Sequence, residues 1–111
     1  MIIKLKPLSV NQCWQGKRFK TPKYKAYEKN LLLLLPKKYK VPLGSLKITL
    51  KFGFSSKLSD WDNPIKPFQD ILQRKYGFND SRIFKADVEK EIVKKGNEYI
   101  YFKIEKYEIN S

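Results

Sequence analysis

Apolar and polar residues alternate most cleanly between Ser45 and Phe54. Leu46, Ile48, Leu50, Phe52 and Phe54 fall on one face, and Lys47, Thr49 and Lys51 on the other. A period of two is the signature of a half-buried strand. Ile2 to Leu8 shows a shorter alternation, Ile3 and Leu5 against Lys4 and Lys6, and predicts a short first strand ended by Pro7. Ser9 to Thr21 is polar and basic, punctuated by Gly16, and predicts a loop. Tyr24, Tyr27, Leu31, Leu34 and Leu35 then recur at helical spacing, with Thr21 as N-cap, Pro22 at the first helical position and Pro36 as the stop. A second helix is expected behind Asp62 or Asn63 as cap, with Pro64 in its first turn. Its apolar stripe is Ile65, Phe68, Ile71, Leu72 and Tyr76, and Gly77 ends it. Ile83 to Val93 and Glu98 to Ile109 read as two long strands, and Lys95-Gly96-Asn97 between them predicts an antiparallel hairpin. The order strand, helix, strand, helix, strand, strand predicts an α+β fold, with two helices packed in a second layer on a mixed sheet of about four strands. With 111 residues, no repeat and no linker, a single domain over residues 1–111 is expected.

Charge changes this picture of an ordinary small domain. The net charge is +13, and it is unevenly placed. Residues 1–59 hold 14 of the 24 Lys and Arg and a single acid, Glu28, whereas residues 60–111 are neutral overall and hold all five aspartates. The first part has the electrostatic footprint of a polyanion-binding surface. A lysine-rich composition alone would raise the pI, but it leaves the near absence of acids before Asp60 unexplained. The longest apolar run, Leu31 to Leu35, is far too short to span a bilayer, so no membrane contact is expected. Lys4, Lys6 and Pro7 interrupt any signal-peptide core. One cysteine, Cys13, excludes an internal disulfide framework and fits a reducing compartment, so a cytoplasmic location is expected. Without histidine, a Ser–His–Asp triad and a Cys–His pair are both excluded.

The acids gather where chemistry is expected. Asp60 and Asp62 lie two apart in an extended stretch just after the cleanest strand, so both can point the same way. Asp62, Lys66 and Asp70 follow at steps of four, which stacks them on one face of a helix. Asp80 comes after the Gly77 turn, at the mouth of the next strand. Three carboxylates without histidine or thiolate form the ligand set of a hard cation such as Mg²⁺. Such an ion activates water and neutralises charge on a phosphodiester, and a neighbouring lysine adds a positive charge for the scissile phosphate. The competing reading is structural: Asp62 as a helix cap, Asp62–Lys66 as a solvated ion pair, Asp80 as a turn former. In the basic loop, Trp14, Phe19 and Tyr24 are interleaved with Lys17, Arg18, Lys20, Lys23 and Lys25. Such a loop can hold phosphates and stack an unpaired base. Tyr24 and Tyr27 are expected in the core.

The run Asp60-Trp61-Asp62-Asn63-Pro64-Ile65-Lys66-Pro67-Phe68-Gln69-Asp70, followed by Gly77-Phe78-Asn79-Asp80-Ser81-Arg82-Ile83, resembles the RusA-type Holliday-junction resolvase family. The first strand, Leu8-Ser9-Val10-Asn11, Trp14, the basic loop and Tyr27 resemble that family's start less specifically. The resemblance implies a RusA-like domain and a homodimeric, Mg²⁺-dependent endonuclease, with Mn²⁺ as an alternative ion. Its members bind branched DNA and resolve four-way junctions by symmetric paired nicks during recombination and repair. They are often carried by phages and prophages. Carried over by position, Asp60, Asp62 and Asp80 would bind metal, Lys66 would be the catalytic lysine and Asp70 would support them. Asn11, Trp14, Lys17, Arg18, Lys20, Lys23 and Lys25 would face DNA. The sequence departs from the family at Asn79, where some members have a second acid, and in a basic loop rich in lysine rather than arginine. Pro67 removes an N–H that would bond to Asn63, so a tight or distorted first turn is expected. For the dimer, the sequence offers Tyr99 to Phe102 and the Leu31 to Leu35 run, both equally suited to the core. A non-catalytic basic nucleic-acid-binding protein, and a basic module for an acidic protein or membrane surface, remain alternatives.

Overall fold

The computed structural model describes residues 1–16 and 19–108. The fold is α+β, and one contiguous apolar core runs between a sheet and a layer of two helices. Strand β1 is Ile2–Ile3, and a small ribbon follows from β2 (Trp14–Gln15) and β3 (Phe19–Lys20). Helix α1 (Pro22–Leu34), strand β4 (Leu46–Phe54), helix α2 (Ile65–Tyr76), and strands β5 (Ile83–Ile92) and β6 (Tyr99–Lys106) complete the chain. The main sheet has the order β1-β6-β4-β5, with β4 parallel to β5 and antiparallel to β6.

β4 is central because its alternating face meets the whole core. Leu46, Ile48, Leu50 and Phe52 are buried against the helices. From α2, the Phe68 ring meets Phe52 edge-on at 6.2 Å and Phe102 of β6 at 5.7 Å. α1 contributes Tyr24, Tyr27 and Leu31 to the same core. Thr21 caps α1 as expected, its hydroxyl accepting from the Tyr24 N–H at 3.1 Å. Gly77 ends α2 in the left-handed conformation (φ +68°) that glycine tolerates best. The opposite sheet face is solvated and carries the ion pairs Lys47–Asp87 at 3.2 Å and Lys51–Glu89 at 2.9 Å.

Several expectations are corrected. The first strand shrinks to two residues, and the expected loop from Ser9 folds into a 3-10 turn and the β2–β3 ribbon. Neither Asp62 nor Asn63 caps α2 with its side chain; the helix starts later, behind Pro64. β5 and β6 do not form a hairpin. The turn at Gly96 is present, with Asn97 N–H on the Lys94 carbonyl at 2.9 Å. The connection 93–98 is nevertheless long enough to cross the end of β4, a step of about 10 Å between its two neighbours. Inserting β4 lets the most apolar strand use both its edges. Gly53 permits this, because the Tyr99 ring occupies the place where a Cβ would stand. The dimer material suggested by sequence also moves: Ile100, Phe102, Leu31 and Leu35 are core, and Leu33 and Leu34 are exposed. Among the described residues, no helix is long and apolar enough to cross a membrane.

Candidate active site

The parallel crossover β4–α2–β5 places the segment 55–64 at the carboxyl end of β4 and the amino end of α2. In open sheets with parallel strands, ligands gather at that position. Pro67 shapes its geometry. Its missing N–H leaves the Asn63 carbonyl without a helical partner, and Val10 N–H donates to that oxygen at 2.9 Å. The first α2 turn therefore stays regular enough to hold Phe68 N–H on the Pro64 carbonyl at 3.4 Å, and the N-terminal segment is tied to it.

Asp60 receives the Asn63 amide at 3.2 Å and lines an open cleft with Asn63, Ser59, Ser9, Gln12 and Lys6. Asp62 is exposed in the turn before α2, and its backbone carbonyl accepts from Ile65 N–H at 3.2 Å. It therefore does not continue the helical stack. That stack is Lys66, Gln69, Asp70 and Gln73, and it reaches Asp80. Lys66 Nζ pairs with Asp70 Oδ1 at 2.9 Å. Gln73 donates towards Asp70 at 3.5 Å, while its amide oxygen accepts the Asp80 N–H at 2.9 Å. Gln69 donates to Asp80 Oδ2 at 3.3 Å. The Asp70 hydrogen bond holds the Lys66 ammonium above its ordinary pKa, and the Asp80 charge adds to this. Lys66 is thus a fixed cation at neutral pH and cannot serve as a base.

The structure therefore brings Lys66, Asp70 and Asp80 together and leaves Asp60 and Asp62 on the preceding segment. The donor chemistry suits a hard cation. Among the described residues, however, no three acidic or thiol side chains are gathered closely enough to share one ion. No metal coordination geometry follows from this arrangement.

The basic ribbon packs beside α2 and α1. Lys20 pairs with Glu28 at 2.8 Å and lies 5.2 Å from the Tyr24 ring centre, so its charge is already engaged. Arg74 of α2 also donates to Glu28. Burial raises the Glu28 carboxyl pKa, but the hydrogen bonds and charges of Lys20 and Arg74 outweigh it, leaving the group below its usual value. Burial pushes the Cys13 thiol up to about 11, helped by the charges of Asp70 and Glu28, so it is an unreactive core group. Asn11, Phe19, Lys23 and Lys25 are exposed. Trp14 is 45% exposed and packs edge-on to Tyr24 at 5.7 Å. Lys17 and Arg18 lie outside the described residues.

Sequence reasoning missed the two glutamines, although their spacing of three and seven from Lys66 places them on its face. It also passed over Leu58, 92% exposed, and Trp61, 56% exposed, on the segment that carries Asp60 and Asp62. No protein-family model and no curated protein matches the chain.

Proposed function

We propose that this chain is a Mg²⁺-dependent, structure-selective DNA endonuclease, with Mn²⁺ as an alternative ion. It resolves four-way junctions as a homodimer by paired symmetric nicks in the recombination and repair of DNA. The observation that supports this reading best is the polar face of α2. Lys66, Asp70 and Asp80 are 14 positions apart from first to last, yet they meet in one hydrogen-bonded group beside the Asp60 and Asp62 segment. The resemblance of residues 60–83 adds to it.

Each side chain has a task in this account. Asp60, Asp62 and Asp80 would hold the ion, which when bound supplies Lewis acidity and an activated water. Holding it requires the segment 55–64 to draw its two carboxylates towards Asp80. Lys66, kept protonated by Asp70, offers a positive charge to the phosphate where negative charge grows. Gln69 and Gln73 are positioning residues that fix Asp80. Lys23, Lys25 and the other lysines before Asp60 attract the DNA backbone without reading its sequence.

The separation of the carboxylates favours a second reading, a non-catalytic nucleic-acid-binding protein. A labelled four-way junction and a linear duplex of the same sequence, incubated with Mg²⁺ or Mn²⁺, separate the two. Paired nicks in the junction by the wild type, lost in Asp62→Asn with junction binding retained, are expected. Tight junction binding with no cleavage in either metal would establish the second reading.

A further inference from the structure

We infer that two copies of the chain join edge to edge through β5, antiparallel about a two-fold axis at Ala86, to form one continuous sheet. The inference shares with the proposed function only its need for two copies. Among the described residues, β5 pairs with β4 alone and leaves its other edge open over ten residues. The opposite end of the sheet is closed by a strand of only two residues, β1. Long free edges invite pairing unless proline, bulges or inward charges guard them. In β5 no proline occurs, its one bulge lies at the start, where Phe84 stands between the residues opposite Leu46 and Lys47, and the first charge on the helix side is Lys90, near the end. Before it, that face carries Phe84 (60% exposed) and Ala86, both exposed, and Val88, half-buried against the core.

The charges choose the partner and the register. In a two-fold antiparallel pair, opposed residues share a face, so the axis passes through a residue. With the axis at Ala86, Phe84 meets the partner's Val88 and Lys85 meets the partner's Asp87, each contact occurring twice. Moving the axis to Lys85 or Asp87 sets that charge on itself. Moving it to Val88 opposes Asp87 and Glu89 twice. Lys85 has a reason to seek an acid: it stands opposite Lys47 on β4 and makes no ion pair among the described residues. Asp87 already reaches Lys47 at 3.2 Å, so a second lysine beside it completes an alternating row across the axis. The paired run would be Phe84 to Val88; Ile83, which stands beside Leu46 on the far side of a slip in register, falls outside it. Arg82, beyond Ile83, is turned away onto the Pro42 and Gly44 carbonyls.

Sedimentation velocity of the full chain over a concentration series tests this, with circular dichroism to confirm that each variant folds. The wild type should sediment as a dimer. Lys85→Asp and Asp87→Lys should each weaken association by at least about tenfold, since each opposes like charges twice. The double variant Lys85→Asp/Asp87→Lys recreates the pairs with their signs exchanged and should dimerise within about threefold of the wild type. A wild type that stays monomeric, or single variants that associate as tightly as the wild type, would overturn the interface. A monomer that still nicks junctions would overturn the interface alone. A dimer with this charge pattern that leaves junctions uncut would support the interface and count against the nuclease reading.

Discussion

Asp60 and Asp62 enter on the segment before α2, and Asp80 enters on the segment after it. Asp80 is gripped through both its backbone N–H and its carboxylate by two glutamines of one helix face. Asp60 has one amide partner, Asn63, from its own segment, and the Asp62 side chain is exposed. One carboxylate is therefore preorganised against Lys66 and Asp70, while the other two are presented on a segment carrying exposed Leu58 and Trp61. The contrast teaches that a site can be half built by helical spacing and half left to a loop. Helical spacing fixes a side chain at little cost, since the scaffold is already ordered. A loop holds a carboxylate loosely enough to change partners when a ligand arrives.

Among variants that leave all three candidate ligand carboxylates in place, breaking the fixed half should have the largest effect. Lys66→Met removes the cation held beside Asp80 and should lower junction cleavage by about a hundredfold or more, with binding much less affected. Single-turnover cleavage beside an electrophoretic binding assay checks this split. Gln73→Met releases Asp80 from its backbone clamp while keeping the helix. About a tenfold to hundredfold loss of cleavage is expected, with Mg²⁺ dependence shifted to higher concentration.

A third variant sharpens the comparison by disturbing α2 without touching either carboxylate segment. The Glu28 side chain is only 12% exposed, and it joins Lys20 of the ribbon to Arg74 of α2. Because its folded pKa lies below the unfolded value, its contribution is present above about pH 4.5 and is lost as pH falls through the folded value. Glu28→Gln should cost about 1–2 kcal/mol at neutral pH. The gap in thermal midpoint between wild type and variant should close as pH is lowered below the ordinary carboxylate value of about 4.5. Tyr27→Phe should have the smallest effect and the opposite sign. The Tyr27 hydroxyl is buried without a partner among the described residues, so deleting it should stabilise the fold by up to about 1 kcal/mol in denaturant unfolding, with cleavage unchanged.

Local features of the chain were legible in sequence where one rule governed them. The β4 alternation, the Thr21 cap, the Gly77 stop, the α2 stripe and the α1 stripe apart from exposed Leu34 each follow from a short window of residues. The pairing of β5 did not, because a glycine turn after a strand signals a hairpin whether or not a third strand lies between its arms. What decided it was the demand of β4 for two neighbours, and that demand is spread over the whole chain. The site divides the same way. The lysine and its helical acid could be read from a spacing of four, whereas Gln73 reaching Asp80 depends on how Gly77 returns the chain along the helix. Asp62 was placed on the helix face because its spacing allowed it; Pro64 and Pro67 delay the helix start to Ile65 and leave it outside.

Single-turnover cleavage of a prebound four-way junction in Mg²⁺, comparing Asp62→Asn with Asp80→Asn, most directly tests whether both segments serve one site. The account predicts that each variant loses cleavage by about a thousandfold or more while junction affinity stays close to that of the wild type. Full cleavage by either variant would contradict it, because that carboxylate would then be structural and not part of the site.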